Sequence, residues 1–257
     1  QVTNVGGAGG TVGLAQLANE RSEDYLMVMG LVMVGAIETN RAQATLENTT
    51  PIARLTAEDE IVVVPAASPY RTINDLVADM GARGQAVSIA GGSAGGTDHI
   101  LAGLIAQAAG VPVQNLNYIA FSGGGESLAA LLGGQVSAGI SGVAEYAEQI
   151  EAGELRALAV SGSQRVAGID APTLTEAGLD VEFINWRGIV APPNLSEEAT
   201  ARLATLVEQI HASPAWKEQL ERSGWTDTYL AGPEFEAFLA EEQTRIHGVL
   251  TDLGLVQ

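Results

Sequence analysis

The 257-residue chain contains no cysteine and a single lysine, Lys217. The first absence excludes thiol catalysis, disulfides and cysteine-ligated metal, while leaving the redox compartment open. The second belongs to a lopsided charge balance, 12 Lys and Arg against 31 Asp and Glu, for a formal net charge of −19. Nucleic acid and anionic membrane surfaces are therefore poor partners, because both are held by basic side chains that neutralise phosphate. The acidic residues are dispersed and read as a solvated surface. Long apolar runs are also missing: the longest, Tyr25 to Ile37, is shorter than the ~20 residues a bilayer demands and contains two glycines.

Further absences bear on cofactors. No G-x-x-x-x-G-K-[ST] occurs, so a P-loop is excluded. The run Gly7-Ala8-Gly9-Gly10-Thr11-Val12-Gly13 approaches a dinucleotide fingerprint only with a shifted end. Three well-separated histidines and the lack of a D-x-[DN]-x-[DN]-G loop give no metal site. The expectation is a protein with no cofactor and no metal.

What is present is a chain that is 46% hydrophobic, enough for a sizeable core in one large or two smaller domains. Strand-like and helix-like segments alternate, the pattern of an α/β protein. "QVTNV" reads as a strand and "GGAGGTVGLAQLANE" as a glycine corner and helix; "DYLMVMGLV" and "DEIVVVPAAS" read as buried strands. "YRTINDLVADMG" is a helix with Thr72 as its cap. After it come the strand "VSIA", a glycine-rich corner and a helix, then "NLNYIAFS", "GGGESLAALLGG", "VSAGISG", "VAEYAEQIEAG" and "LRALAVSG" as alternating strands and helices. The strand "VEFINWRGIVAPP" and two helices, "SEEATARLATLVEQIHAS" and "GPEFEAFLAEEQTRIHGVLTDLG", end the chain.

Glycine-started helices recur at Gly6–Gly10, Gly91–Gly96 and Gly123–Gly125, each after a strand-like run. The first backbone N–H groups of a helix have no internal partner, and the helix dipole favours negative charge there, so each corner is a candidate anion cradle. The segment Gly91-Gly92-Ser93-Ala94-Gly95 also matches G-x-S-x-G, the nucleophile elbow of a serine hydrolase, and glycine corners are often no more than tight turns. A hydrolase would need an acid and then a histidine downstream; Asp227 and His247 have the right order, but no oxyanion-hole segment accompanies them.

The motifs "NVGGAGG", "ENTTPIARL", "GGSAGGTDHILAG", "YIAFSGGGESLAALLGGQV", "AGELRALAVS" and "WRGIVAPP", then "SGW", stand in an order and spacing that resembles the substrate-binding proteins of tripartite tricarboxylate transporters, the Bug-type periplasmic receptors. The likeness covers nearly the whole chain. It implies an α/β fold of the two-lobed periplasmic binding protein type II, each lobe a mixed sheet flanked by helices, with a cleft between the lobes. By resemblance the first lobe is residues 1–79 and 185–257 and the second is 80–184, with crossings near Ser68–Asp79 and Glu182–Arg187. Family members carry a first strand and a ligand-touching loop before the Asn-x-x-Gly-Ala-Gly-Gly run, so the first lobe is expected to lack its N-terminal strand.

The implied function is that of an extracytoplasmic solute receptor, not an enzyme, that binds a small organic di- or tricarboxylate and delivers it to membrane permease subunits. It is expected to be periplasmic and monomeric; the alternative is an α/β serine hydrolase using Ser93. The residues expected at the ligand are Ser93, Gly95, Gly96 and Thr97 in one corner, Ser122, Gly123 and Gly124 in a second, and Ser141 at the end of "VSAGIS". Ser141 resembles a family position that is often Asp, and is expected to leave the pocket less acidic. Val32 and Met33, in a loop Leu31–Gly35, are expected to line its apolar part. Against these stand plainer readings: Ser93 and Thr97 as helix caps, His99 as a brace for its turn, Met33 and Val34 as core, and Glu126 as a complement to a helix dipole.

Overall fold

The computed structural model describes residues 1–256, which fall into two compact units. The first comprises Gln1–Ala57 and Trp186–Gln257, the second Glu58–Asn185. The chain thus passes between units at 57/58 and 185/186. The second position lies within the expected crossing, Glu182–Arg187, whereas residues 58–79, expected in the first lobe, belong to the second unit. The reason is local: one strand of 16 residues, Thr50–Pro65, begins in the first unit and ends in the second.

In the first unit, α1 (Thr11–Leu17) follows the glycine corner, where Gly7, Gly9 and Gly10 all have positive φ. Strand β1 (Met27–Gly30) pairs antiparallel with a later strand, and α2 (Leu31–Thr39) follows at once. Two expectations are corrected here. "QVTNV" forms no strand; among the described residues nothing pairs with it, and an isolated strand cannot satisfy its backbone. The supposed loop Leu31–Gly35 is the first half of α2, nearly all of it buried, and an evenly apolar helix has no 3.6-residue period to distinguish it from a buried strand.

Next comes β2 (Thr50–Pro65), then the second unit: α3 (Ile73–Arg83), β3 (Ser88–Gly91), α4 (Thr97–Ala108), β4 (Asn117–Ala120), α5 (Gly124–Leu132), β5 (Ala138–Gly142), α6 (Val143–Glu151) and β6 (Leu155–Val160). Thr72 caps α3 as expected, its hydroxyl accepting the Asp75 N–H at 3.2 Å while the Asp75 carboxylate accepts the Thr72 N–H at 2.8 Å. Strands β3, β4 and β5 are parallel, with β3 in the middle, and β2 runs antiparallel to both β5 and β6. The core of this mixed sheet includes Ile61, Val63, Ala90, Leu131, Tyr146 and Val160.

The chain returns to the first unit through β7 (Ile184–Ala191), then α7 (Glu197–Ala212), α8 (Pro214–Ser223), β8 (Thr226–Ala231) and α9 (Pro233–Asp252). β7 pairs with β1, and β8 pairs with the first half of β2. Ile52, Leu55, Ala191, Leu203 and Val207 form one core cluster. Trp186 is fully buried; its indole N–H donates to Glu242 at 2.8 Å, and Arg245 clamps the same carboxylate at 2.6 and 2.9 Å.

Candidate functional site

Parallel pairing decides where the site is. Because β3, β4 and β5 run in one direction, the turns after Gly91, Ala120 and Gly142 all emerge at the same end of the second unit's sheet. The helix α4 joins β3 to β4 on one side, and α5 carries the chain back past β3 to β5. Right-handed crossovers in opposite directions put the two helices on opposite faces, which is the topological switch where α/β sheets open toward ligands. The two glycine corners meet there: a Cβ on Gly92 would lie 3.2 Å from the Cα of Gly123.

Three hydrogen bonds to backbone groups, a ring stack and one glycine conformation hold the first corner. The Gly92 N–H donates to the Asp98 carboxylate, and the Gly95 N–H donates to His99 Nδ1 at 3.1 Å. The Ser93 carbonyl accepts the Tyr118 hydroxyl at 2.9 Å, and the His99 and Tyr118 rings stack at 4.1 Å. Gly95 sits at φ 69°, a conformation that costs any side-chain-bearing residue energy. His99 is thus the brace anticipated from sequence, and burial lowers its pKa to about 4, keeping it a neutral acceptor.

The expected caps are arranged differently. Gly96 is the N-cap of α4 and Thr97 its first residue; the Thr97 hydroxyl, fully buried, donates to Asn185 Oδ1 at 3.5 Å instead of capping. In the second corner the Ser122 N–H donates to Glu126 at 3.1 Å, and Gly123 precedes the first turn of α5. Ser141 lies at the end of β5, 4% exposed. Ser93, Gly95, Gly96, Thr97, Ser122, Gly123, Gly124 and Ser141 therefore gather at one end of one sheet. Val32 and Met33 lie in the first unit, where Met33 is buried and its Cε would stand 2.8 Å from a Cβ on Gly10.

Sequence reasoning missed the acidic floor. Glu60, at the β2 position paired with Gly142, is wholly buried. Its Oε1 accepts Asn185 Nδ2 at 2.8 Å, and the same amide reaches Glu58 at 3.4 Å. The other Glu60 oxygen, Oε2, is buried without a hydrogen-bond partner, which disfavours the ionised carboxylate. Burial, with the charges of Asp98 and Glu58, holds Glu60 well above the ordinary carboxylate range and favours its protonated form. Burial also raises Asp98, while the Gly92 N–H favours its ionised form. The expectation that Ser141 leaves the site less acidic is corrected: its hydroxyl donates to Glu145 at 3.0 Å, so the carboxylate arrives from one turn further along. A charged "AEDE" inside β2 was the available signal.

The hydrolase alternative finds no support in this geometry. α4 begins four residues after Ser93, whereas an elbow helix starts at the nucleophile, and the downstream partners are engaged elsewhere: Asp227 holds His211 at 2.9 Å, and His247 meets Glu38 at 3.1 Å. Among the described residues no cluster of metal-ligating side chains occurs, and no helix is long and apolar enough to cross a membrane.

A family model described as tripartite tricarboxylate transporter family receptor matches residues 1–255. The protein BugT of Bordetella pertussis is 26% identical over 261 residues, an overlap covering 98% of this chain and 79% of BugT. The periplasmic binding protein BugD superposes with a TM-score of 0.85 at 21% identity, covering 98% of this chain and 85% of BugD. MatC from Rhodopseudomonas palustris, solved with bound malate, superposes with a TM-score of 0.78 at 22% identity, covering 95% of this chain and 85% of MatC.

Proposed function

The chain belongs to the tripartite tricarboxylate transporter receptor family, and from that premise we propose that it is a periplasmic, monomeric receptor for a small di- or tricarboxylate, which it hands to membrane permease subunits. Receptors of this family bind solutes and are not enzymes. Within the second unit the ligand's carboxylate is held by the β3–α4 and β4–α5 corners. The observation that carries this reading is the meeting of Gly92 and Gly123 at the shared end of three parallel strands, which brings the starts of α4 and α5 to one place.

The chemistry is consistent. Corner segments 91–98, 121–127 and 138–146 contain no Lys or Arg, so recognition falls to backbone N–H groups and hydroxyls. Ser93 and Ser122 supply hydroxyls, Thr97 an additional N–H, and Gly95, Gly96, Gly123 and Gly124 allow close backbone approach. Burial raises the pKa of both Glu60 and Asp98, which favours their neutral forms beneath the corner and lowers the cost of bringing in an anion. Malate in MatC supports the ligand class.

Calorimetric titration with malate, succinate and citrate tests the proposal. A true ligand at a hundredfold excess over Kd stabilises the fold by about 2.7 kcal/mol, visible as a raised melting temperature. Absence of both heat and thermal shift with every carboxylate would refute it.

A further inference from the structure

Glu145 stands in the first turn of α6, and as a residue it is solvent-exposed. Its carboxylate is nonetheless drawn back over the second corner. Oε2 accepts the Ser141 hydroxyl at 3.0 Å, and the same oxygen occupies the space in which a Cβ on Gly124 would stand. Gly124 is the first residue of α5, a helix of nine residues. No side chain other than hydrogen fits at 124 while Glu145 is there. The charge is also felt deeper in the same site, where Glu145 helps raise the pKa of buried Asp98.

A carboxylate anchored by a buried serine against the first residue of α5 has the chemistry expected of the solute's own carboxylate. We propose that Glu145 is a built-in competitor, an internal anion resting at the start of α5 that the ligand's carboxylate must displace, and so a residue that sets affinity and excludes weak anions. The inference rests on the receptor reading above. Glu145 also follows the start of its own helix, and an acid there complements the α6 dipole. The two roles differ in what they predict. A purely structural Glu145 makes its loss destabilising and leaves ligand affinity unchanged or weaker; a competitor makes its loss tighten binding.

Displacement has a definite consequence for Ser141. When Glu145 swings out, the Ser141 hydroxyl loses its acceptor and becomes free to donate to the incoming carboxylate. The exchange replaces one charge-assisted hydrogen bond by another, so its cost is chiefly the removal of the Glu145 charge from the helix start.

The test is malate titration of the wild-type chain, Glu145→Gln and Glu145→Ala, with melting temperatures of the unliganded proteins measured in parallel. Both variants are expected to remain folded, because residue 145 is exposed, and to bind malate about 3- to 30-fold more tightly, the range spanned by one charge at a helix end. Wild-type binding with unchanged or weaker binding in both variants would overturn the competitor role while leaving the receptor reading intact. Failure of the wild-type chain and both variants to bind any of malate, succinate and citrate would overturn the receptor reading and this inference with it.

Discussion

Glu60 and Asp98, on β2 and α4, are both buried, and burial holds both carboxyls above the ordinary carboxylate range, Glu60 further because Asp98 and Glu58 add their charge. Glu60 accepts from Asn185 through Oε1 while its Oε2 is buried without a hydrogen-bond partner, and Asp98 accepts the Gly92 N–H that fixes the start of the corner. The pair therefore links the acidic floor of the site to its backbone donors.

This arrangement makes Glu60→Gln a close copy of the protonated side chain: the amide oxygen keeps the Asn185 hydrogen bond and the side chain carries no charge. The folded-state pKa of Glu60 is raised, so the folded protein retains a proton that the unfolded chain releases above the ordinary carboxylate range, near 4. Wild-type stability accordingly falls as pH rises from about 4 toward the raised value. Glu60→Gln should be more stable than wild type at pH 7, by on the order of 1–3 kcal/mol, with the difference shrinking to nothing as pH approaches 4. Urea denaturation across that range measures it; a variant less stable than wild type at pH 7 would mean that Glu60 is ionised in the fold.

His99 has the opposite sign. Its folded pKa is lowered by burial to about 4, so below about 6.5 the unfolded chain takes up a proton that the folded one refuses, and stability is lost on acidification. His99→Phe keeps a ring to stack on Tyr118 while abolishing the titration. Between pH 6.5 and 4 wild type should lose up to about 3 kcal/mol relative to His99→Phe. Parallel slopes for the two proteins would show that His99 protonates freely in the fold. Because both proteins compared in the Glu60 experiment carry His99, its contribution cancels there.

How much of this was legible follows from where the polar and apolar patterns are clean. The alternation of strands and helices from Ile73 to Val160, the Thr72 cap and the glycine corners were readable because each rests on local chemistry: a period, a hydroxyl, a glycine at a turn. β2 is legible from Asp59 onward and not in its first half, because the charges of Glu58, Asp59 and Glu60 separate Thr50–Ala57 from the apolar run at the point where the strand enters the second unit. α8 and β8 were missed because α8 buries only Leu220 and β8 buries no residue fully, so neither writes a strong period. Glu60, Asp98 and Glu145 were invisible as a group. They lie on β2, α4 and α6, and only the sheet order brings them together.

In the first corner, Ser93→Ala should weaken malate binding by about 1–3 kcal/mol, the cost of leaving a buried acceptor on the ligand unpaired. Gly95→Ala should cost about 1 kcal/mol of stability, because φ 69° is strained for alanine, and should weaken binding as the corner readjusts. Titration calorimetry and urea denaturation separate the two effects. Wild-type affinity in both variants would remove this corner from the site.

The central claim is that a carboxylate lies on the backbone donors at the starts of α4 and α5. It is tested most directly by following backbone amide resonances of the isotopically labelled chain during malate titration. Saturable shifts should concentrate at Gly95, Gly96, Thr97, Gly123 and Gly124, with all five reporting one dissociation constant. Saturable binding that leaves these amides unmoved while shifting others would contradict the account.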